Sequence, residues 1–304
     1  MLRKKERQTF AAYGQQAERE IGEAESFGTL MRRMFRENRL SAVSLAVIAL
    51  MILAAVLAPA LTPYGEKDMD LMNRLQPPSA AHPLGTDEGG RDILTRLLYG
   101  SRVSLLVGIV PTLLSMVLGA LLGVLAGTLG GWTDSLIMRL ADIVLAFPSM
   151  LLAMVIMYTL GDGLFNVFLT LTLVNWGSVA RIARSEALRL KKSGYVEAAR
   201  SIGVSKWKIM RRHILPNCLP TLIVLFTLNV PSAILTESSL SFLGLGIQPP
   251  NASWGLMVNT GRQFLYNAPW LSFVPSAAIM LAVLSFNFLG DGLRDVLDPR
   301  QRKQ

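Results

Sequence analysis

Long uncharged windows alternate with basic connections along this chain. No ionised side chain falls in residues 40–61, 103–133, 143–161, 163–180, 213–236 or 263–290. A charge at the centre of an inserting helix costs about 2.5–3.5 kcal/mol, and about 20 apolar residues span a bilayer. Each window therefore predicts one transmembrane helix. A seventh uncharged run, 238–261, contains "GIQPPNASWG". Its Pro, Gly and Asn disfavour insertion, so it reads as an outer loop or re-entrant segment. The pattern predicts an all-α polytopic membrane protein with six transmembrane helices.

Orientation follows from the basic residues, which concentrate on the cytoplasmic side of membrane proteins. Nine Lys and Arg precede Leu40, and ten lie between Arg181 and Arg212. With Arg139 and four in the tail, alternating spans put 24 of 30 on one side and six on the other. Both termini are expected in the cytoplasm. The expected division is a basic leader 1–39, a first span 40–61, an outer segment 62–102, a five-helix core 103–292 and a tail 293–304. A cytoplasmic loop, 181–216, interrupts the core.

Composition agrees. The chain is 51% hydrophobic and 17% charged, against about a quarter charged in soluble domains. The net charge of +9 is then largely a topology signal rather than a sign of nucleic-acid binding. The first apolar window follows a long polar leader and is too long for a secretory signal, so it is expected to remain as a span. One cysteine, Cys218, excludes an intrachain disulfide and reads as a small core residue. His82 and His213 are too far apart in sequence to suggest a clustered metal site. No nucleophile–base pair or phosphate loop is visible, so the chain is not expected to be an enzyme.

Several local patterns add detail. In "FGTLMRRMFRENRL", Phe27, Leu30, Met31, Met34 and Phe35 follow helical spacing among arginines, predicting an interfacial helix against membrane lipid. Gly119, Gly123, Gly127 and Gly131 form a small-residue stripe that admits close helix packing, within this chain or against a partner. "LGTDEGGRDILTRLLYGSRVSL" predicts a helix lying flat on the outer surface, with Ile93, Leu94, Leu97 and Leu98 as its apolar stripe. Arg139 and Asp142 are placed to pair across one helical turn, with Pro148 kinking the helix beyond them. Glu237 and Asn229 are candidates for the pathway or outer gate, because polar groups at membrane depth are functional candidates by default. Snorkelling is the simpler reading for Glu237, and interhelical hydrogen bonding for Asn229 and Asn287.

The stretch "EAARSIGVSKWKIMRRHILPN", residues 197–217, carries the sharpest signal. It predicts two short helices turning at Gly203. Tyr195, Ala198, Ala199 and Ile202 share a face of the first; Val204, Trp207, Met210 and Ile214 share a face of the second. Pro216 falls where the next span begins, a position that tolerates a missing N–H. Such a unit resembles a DNA-reading helix-turn-helix, but membrane spans tie it at both ends. A knob that docks into a soluble cytoplasmic partner fits better.

Glu197, Ala198 and Ala199, followed by Gly203 and then His213, Ile214, Leu215 and Pro216, resemble the EAA loop of ABC-importer permeases. "YVEAARSIG", "ESSLSFLGLG", "SWGLM" and "FNFLGDGLRDVLDPR", in order, are similar to the DppC/OppC-like family of dipeptide and oligopeptide permeases. The resemblance runs from about Leu40 to Arg300. It implies a type I importer (MetI-like) fold in the inner membrane of a prokaryote, paired with a homologous second permease. It also implies two cytoplasmic ATPases, which would hold ATP and Mg, and an external substrate-binding protein; this chain would bind no cofactor. Glu197, Ala198, Ala199, Gly203, Trp207, His213, Leu215 and Pro216 would then form the ATPase-coupling loop, although the broad family pattern has an aliphatic residue in place of His213. Dipeptides, oligopeptides, glutathione-like peptides and nickel complexes stay open as substrates. The rivals from other classes are a secondary carrier, whose mitochondrial form has a threefold repeat not visible here, and a membrane scaffold.

Overall fold

The computed structural model describes residues 38–297 of the 304-residue chain. The expected leader helix lies outside the described residues. Ten of the helices among them position the site: α1 Arg39–Val56, α2 Ile93–Leu129, α3 Gly131–Ala146, α4 Ser149–Leu160 and α5 Leu164–Lys191. Then come α6 Gly194–Ser201, α7 Lys206–Ile209, α8 Leu215–Phe242, α9 Trp254–Gly261 and α10 Trp270–Leu297. Short turns such as Ala58–Leu61 link them.

Four continuous helical stretches are long and apolar enough to cross a membrane: Arg39–Val56, Ile93–Leu129, Lys206–Phe242 and Trp270–Leu297. A fifth crossing is available only as the broken pair α3 and α4, bent by 91°. The uncharged window 143–161 is thus not one straight span. Pro148 explains the break: the residue before a proline is driven out of the α region, and Phe147 is extended at φ −93°, ψ 143°. α5 is apolar in its first half and carries Arg181, Arg184, Arg189 and Lys191 in its second.

α2 is the central element. Its 37 residues correspond to about 55 Å at 1.5 Å per residue, well beyond the roughly 30 Å hydrocarbon core. The excess includes the outer stretch expected to lie flat: from Ile93 onward the chain is one helix, N-capped by Asp92, whose carboxylate accepts from the Thr95 amide at 2.7 Å.

α5 lies along α2 because glycines let it. A Cβ on Gly119 would stand 2.6 Å from the Trp176 carbonyl oxygen, one on Gly123 would collide with the Ala180 carbonyl, and one on Gly127 would stand 2.9 Å from the Ala187 Cβ. Three members of the stripe therefore serve packing within this chain. Gly131 does not belong with them: nothing lies within 4 Å of a Cβ there, and its φ of +59° makes the turn from α2 into α3.

α1 packs on α10 and α2, where Ser41 Oγ donates to the Phe288 carbonyl at 3.0 Å. Ile48, Leu105, Ile234 and Phe286 join α1, α2, α8 and α10 in one apolar core. A second core joins α4 to α5 and α8 through Met157, Leu171 and Leu240. Apolar side chains also cover the outside, with Tyr158 83%, Phe165 74% and Phe273 68% exposed, as expected where lipid or another subunit replaces water.

Candidate functional site

The loop between α5 and α8 is built as a rigid knob with two faces. Ser193 begins α6, and Gly203, at φ +80°, reverses the chain after it. That left-handed conformation is costly for a residue with a Cβ. Nothing would touch a Cβ on Gly203, so conformation, not crowding, requires glycine. Ser205 Oγ then accepts from the Lys208 amide and caps α7. A π-turn, Met210–Ile214, joins α7 to α8.

The inward face consists of Val196, Ala199, Ile209 and Ile214, all buried with Ala120, Val124, Ala183, Ala187 and Cys218. The knob is therefore fastened to α2, α5 and α8 together. The outward face carries Ile202, 81% exposed, Trp207, 62%, and Tyr195, 44%. Lys206, Lys208, Arg211 and Arg212 are exposed around them. Large apolar side chains exposed at a cationic rim are the pattern common at surfaces that meet a partner.

The expected helix faces change in detail. Ala198 points outward with Glu197, whereas Ala199 turns into the core. Consecutive residues on a helix sit about 100° apart, so the boundary between the two faces can fall between neighbours, and here it falls between the two alanines. Likewise Trp207 is outward, while Ile214 is buried and Val204 and Met210 pack against the core. His213 is half-buried with its ring 6.1 Å from that of Tyr195. Leu215 packs against the same core, and Pro216 is exposed in the first turn of α8.

At the far end of α8, Glu237 is fully buried. It does not snorkel: Ser241 Oγ donates to Oε1 at 2.8 Å and Ser253 Oγ donates to the same oxygen at 3.0 Å. Ser253 also caps α9 by accepting from the Leu256 amide. The carboxylate thus clasps α8 to the segment after it. Asn229 is half-buried on the same helix.

Several polar contacts carry no local sequence signal. Asp142 pairs with Arg181 at 2.7 Å rather than with Arg139. Asp134 receives Arg184 through both nitrogens, Nε at 2.5 Å and Nη2 at 2.6 Å. Lys191 Nζ donates to the Thr128 carbonyl at 3.0 Å, at the end of α2. Before α2, Asp87 binds Arg91 at 2.7 Å and Arg96 at 3.3 Å. Both arginines are buried.

The comparisons with known proteins agree with this architecture. Residues 119–303 match the family described as "Binding-protein-dependent transport system inner membrane component". Residues 26–78 match "N-terminal TM domain of oligopeptide transport permease C". The chain is 42% identical over 269 residues to the oligopeptide transport system permease protein OppC of Bacillus subtilis, covering 88% of each. It is 44% identical to the dipeptide transport system permease protein DppC of Alkalihalophilus pseudofirmus, covering 89% of each. It is also 44% identical to the glutathione transport system permease protein GsiD of Pectobacterium atrosepticum, covering 88% of this chain and 89% of that one. Among solved structures, a chain of the inward-facing MetNI methionine ABC transporter is similar in fold. There the TM-score is 0.55 at 21% identity, over 66% of this chain and 96% of that one. The chain belongs to the OppC/DppC family of inner-membrane permeases in binding-protein-dependent ABC transport systems, as a multi-pass subunit that is not itself the ATPase.

Proposed function

We propose that this chain is the permease subunit of an importer for di- or oligopeptides, and that the knob at 181–216 couples it to ATPase subunits. One observation carries the coupling assignment. The same short loop is anchored in the core shared by α2, α5 and α8 and leaves Ile202 and Trp207 exposed at a cationic rim. A partner that grips the outward face moves three long helices at once. Glu197, Ala198 and Gly203 belong to that grip; Ala199, His213, Leu215 and Pro216 set its position.

The full reading has six crossings, with α3–α4 as one and the apolar half of α5 as another. Both termini and the knob are cytoplasmic, and residues 62–102 lie outside. A homologous permease completes the pathway, two ATPases bind ATP and Mg below, and a substrate-binding protein delivers from outside. Glu237 acts on the outer gate through the segment it clasps. The peptide substrate rests on the printed names of the OppC and DppC relatives. Glutathione is the second reading, favoured by a relative of equal identity.

The test is purification of the chain from its native membrane in mild detergent, with Gly203→Asp alongside. Recovery of a second permease and ATPases, with the ATPases depleted at least several-fold in the variant, is expected. Unchanged ATPase recovery and peptide uptake in Gly203→Asp sinks the coupling assignment. Competition of labelled tripeptide uptake by glutathione separates the two substrates.

A further inference from the structure

Behind the outward face of the knob, at its root, lies a cavity of ≈ 230 Å³ lined by Thr128, Lys191, Arg200, Lys206, Ile209 and Ile214. It opens between the end of α2, the last turn of α5 and the knob itself. Three cations line it, and none has a carboxylate partner among the described residues. Asp134, the acid whose charge reaches Lys191, is already held by Arg184. Burial first, then the charges of Arg200 and Lys206, push the Lys191 ammonium below its ordinary range against the pull of Asp134. The cations therefore repel one another across the cavity.

Thr128 supplies the second observation. The residue is 3% exposed, and its Oγ1 has no hydrogen-bond partner among the described residues. A buried hydroxyl without a partner is costly and calls for an explanation. An anion in the cavity would neutralise the three cations, and one seated deep against the α2 wall would offer this hydroxyl an acceptor.

We propose that this cavity binds a phosphate-bearing anion, the headgroup of an anionic phospholipid. Phosphate offers several acceptor oxygens at once. Arg engages it through a planar fork, whereas Lys acts as a compact point charge. Depth favours a lipid over a free ion: Trp132, four residues beyond Thr128, is 77% exposed, and exposed Trp side chains gather at headgroup level. The assignment to the inner leaflet rests on the topology proposed above. A bound headgroup would tie Arg200 and Lys206 on the knob to Thr128 and Lys191 on α2 and α5. Lipid composition would then set how firmly the knob is seated on the spans.

The test compares the purified transporter complex in nanodiscs of phosphatidylcholine alone, phosphatidylcholine with inorganic phosphate, and phosphatidylcholine with phosphatidylglycerol in equal parts. Lysine acylation at constant ionic strength is read by mass spectrometry, with the exposed Lys67, remote from the cavity and the knob, as the internal reference. Lys191 and Lys206 should react about fivefold more slowly with phosphatidylglycerol present, the effect of about 1 kcal/mol per cation near an anionic surface. Equal protection by inorganic phosphate would keep the phosphate chemistry but overturn the lipid as its source. No protection in either arm overturns the site. Thr128→Val, which keeps the side-chain shape, should weaken the protection of Lys191 without loss of complex, as should Arg200→Gln. Protection unchanged in both variants also overturns it. Nanodiscs expose both membrane faces, so a wrong orientation would not mimic any of these results.

Discussion

Gly203 and Glu237 stand at opposite ends of the segment that runs from the knob through α8, and each does work that its residue type alone explains. At φ +80° with open space around it, Gly203 is replaceable only by a residue that tolerates the left-handed region. Gly203→Ala should cost about 1–2 kcal/mol in the local turn and loosen ATPase association. Gly203→Asn should recover part of it, because Asn enters that region more readily. Equal loss in both, measured as ATPase retained on purification, would show that side-chain bulk matters instead. Glu237 presents the converse case, a charged residue whose value lies in what it accepts. Glu237→Ala strands the Ser241 and Ser253 hydroxyls, a penalty of about 1–3 kcal/mol for a buried group, and should lower the melting temperature of the detergent-solubilised complex. Glu237→Gln keeps an acceptor oxygen and should melt closer to wild type. If Gln and Ala melt together, the hydrogen bonds are not what holds the clasp.

At the level of elements, the glycine stripe divides three to one. Gly123→Ala forces a methyl into the Ala180 carbonyl and should separate α2 from α5, reducing recovery of folded protein severely. Gly131→Ala meets no atom and bears only its positive φ, so its cost should stay within about 1–2 kcal/mol. Comparable losses of monodisperse protein from the two variants would refute that division. The stripe's spacing was legible in the sequence, but the departure of Gly131 was not, because helical periodicity cannot see where the helix stops. The windows at 40–61, 103–133, 213–236 and 263–290 each contain the greater part of a continuous helix, since an uncharged apolar run has little alternative in lipid, and three of these helices run on through Pro111, Pro220, Pro231 and Pro275. Within the window at 143–161 the kink at Pro148 was expected, but charge counting is blind to its size, a bend of 91° that ends one helix at Phe147 and starts another. Glu237 was placed at the right end of its helix but at the wrong depth. Its second partner, Ser253, lies sixteen residues away in a loop, where no periodic rule reaches.

Across the whole molecule, the topology makes a direct prediction. Cysteines at Trp207 and Tyr266, both exposed, should react with a membrane-impermeant maleimide on opposite sides: position 266 in intact cells, position 207 only after permeabilisation. Labelling of position 207 in intact cells would reverse the orientation. The sequence located the knob but not its mechanical setting, which depends on the π-turn at Met210–Ile214. A π-turn holds one residue more than the α-helical path it interrupts, and one residue of α-helix is about 100° of rotation. The direction in which Trp207 faces relative to α8 is thus partly a matter of phase, set by a count of residues as well as by the packing of Ile209 and Ile214. Conservative substitutions through 210–214 would leave that phase intact, while removing a single residue would set α7 and α8 out of register by more than a quarter of a circle, against the packing that holds the knob.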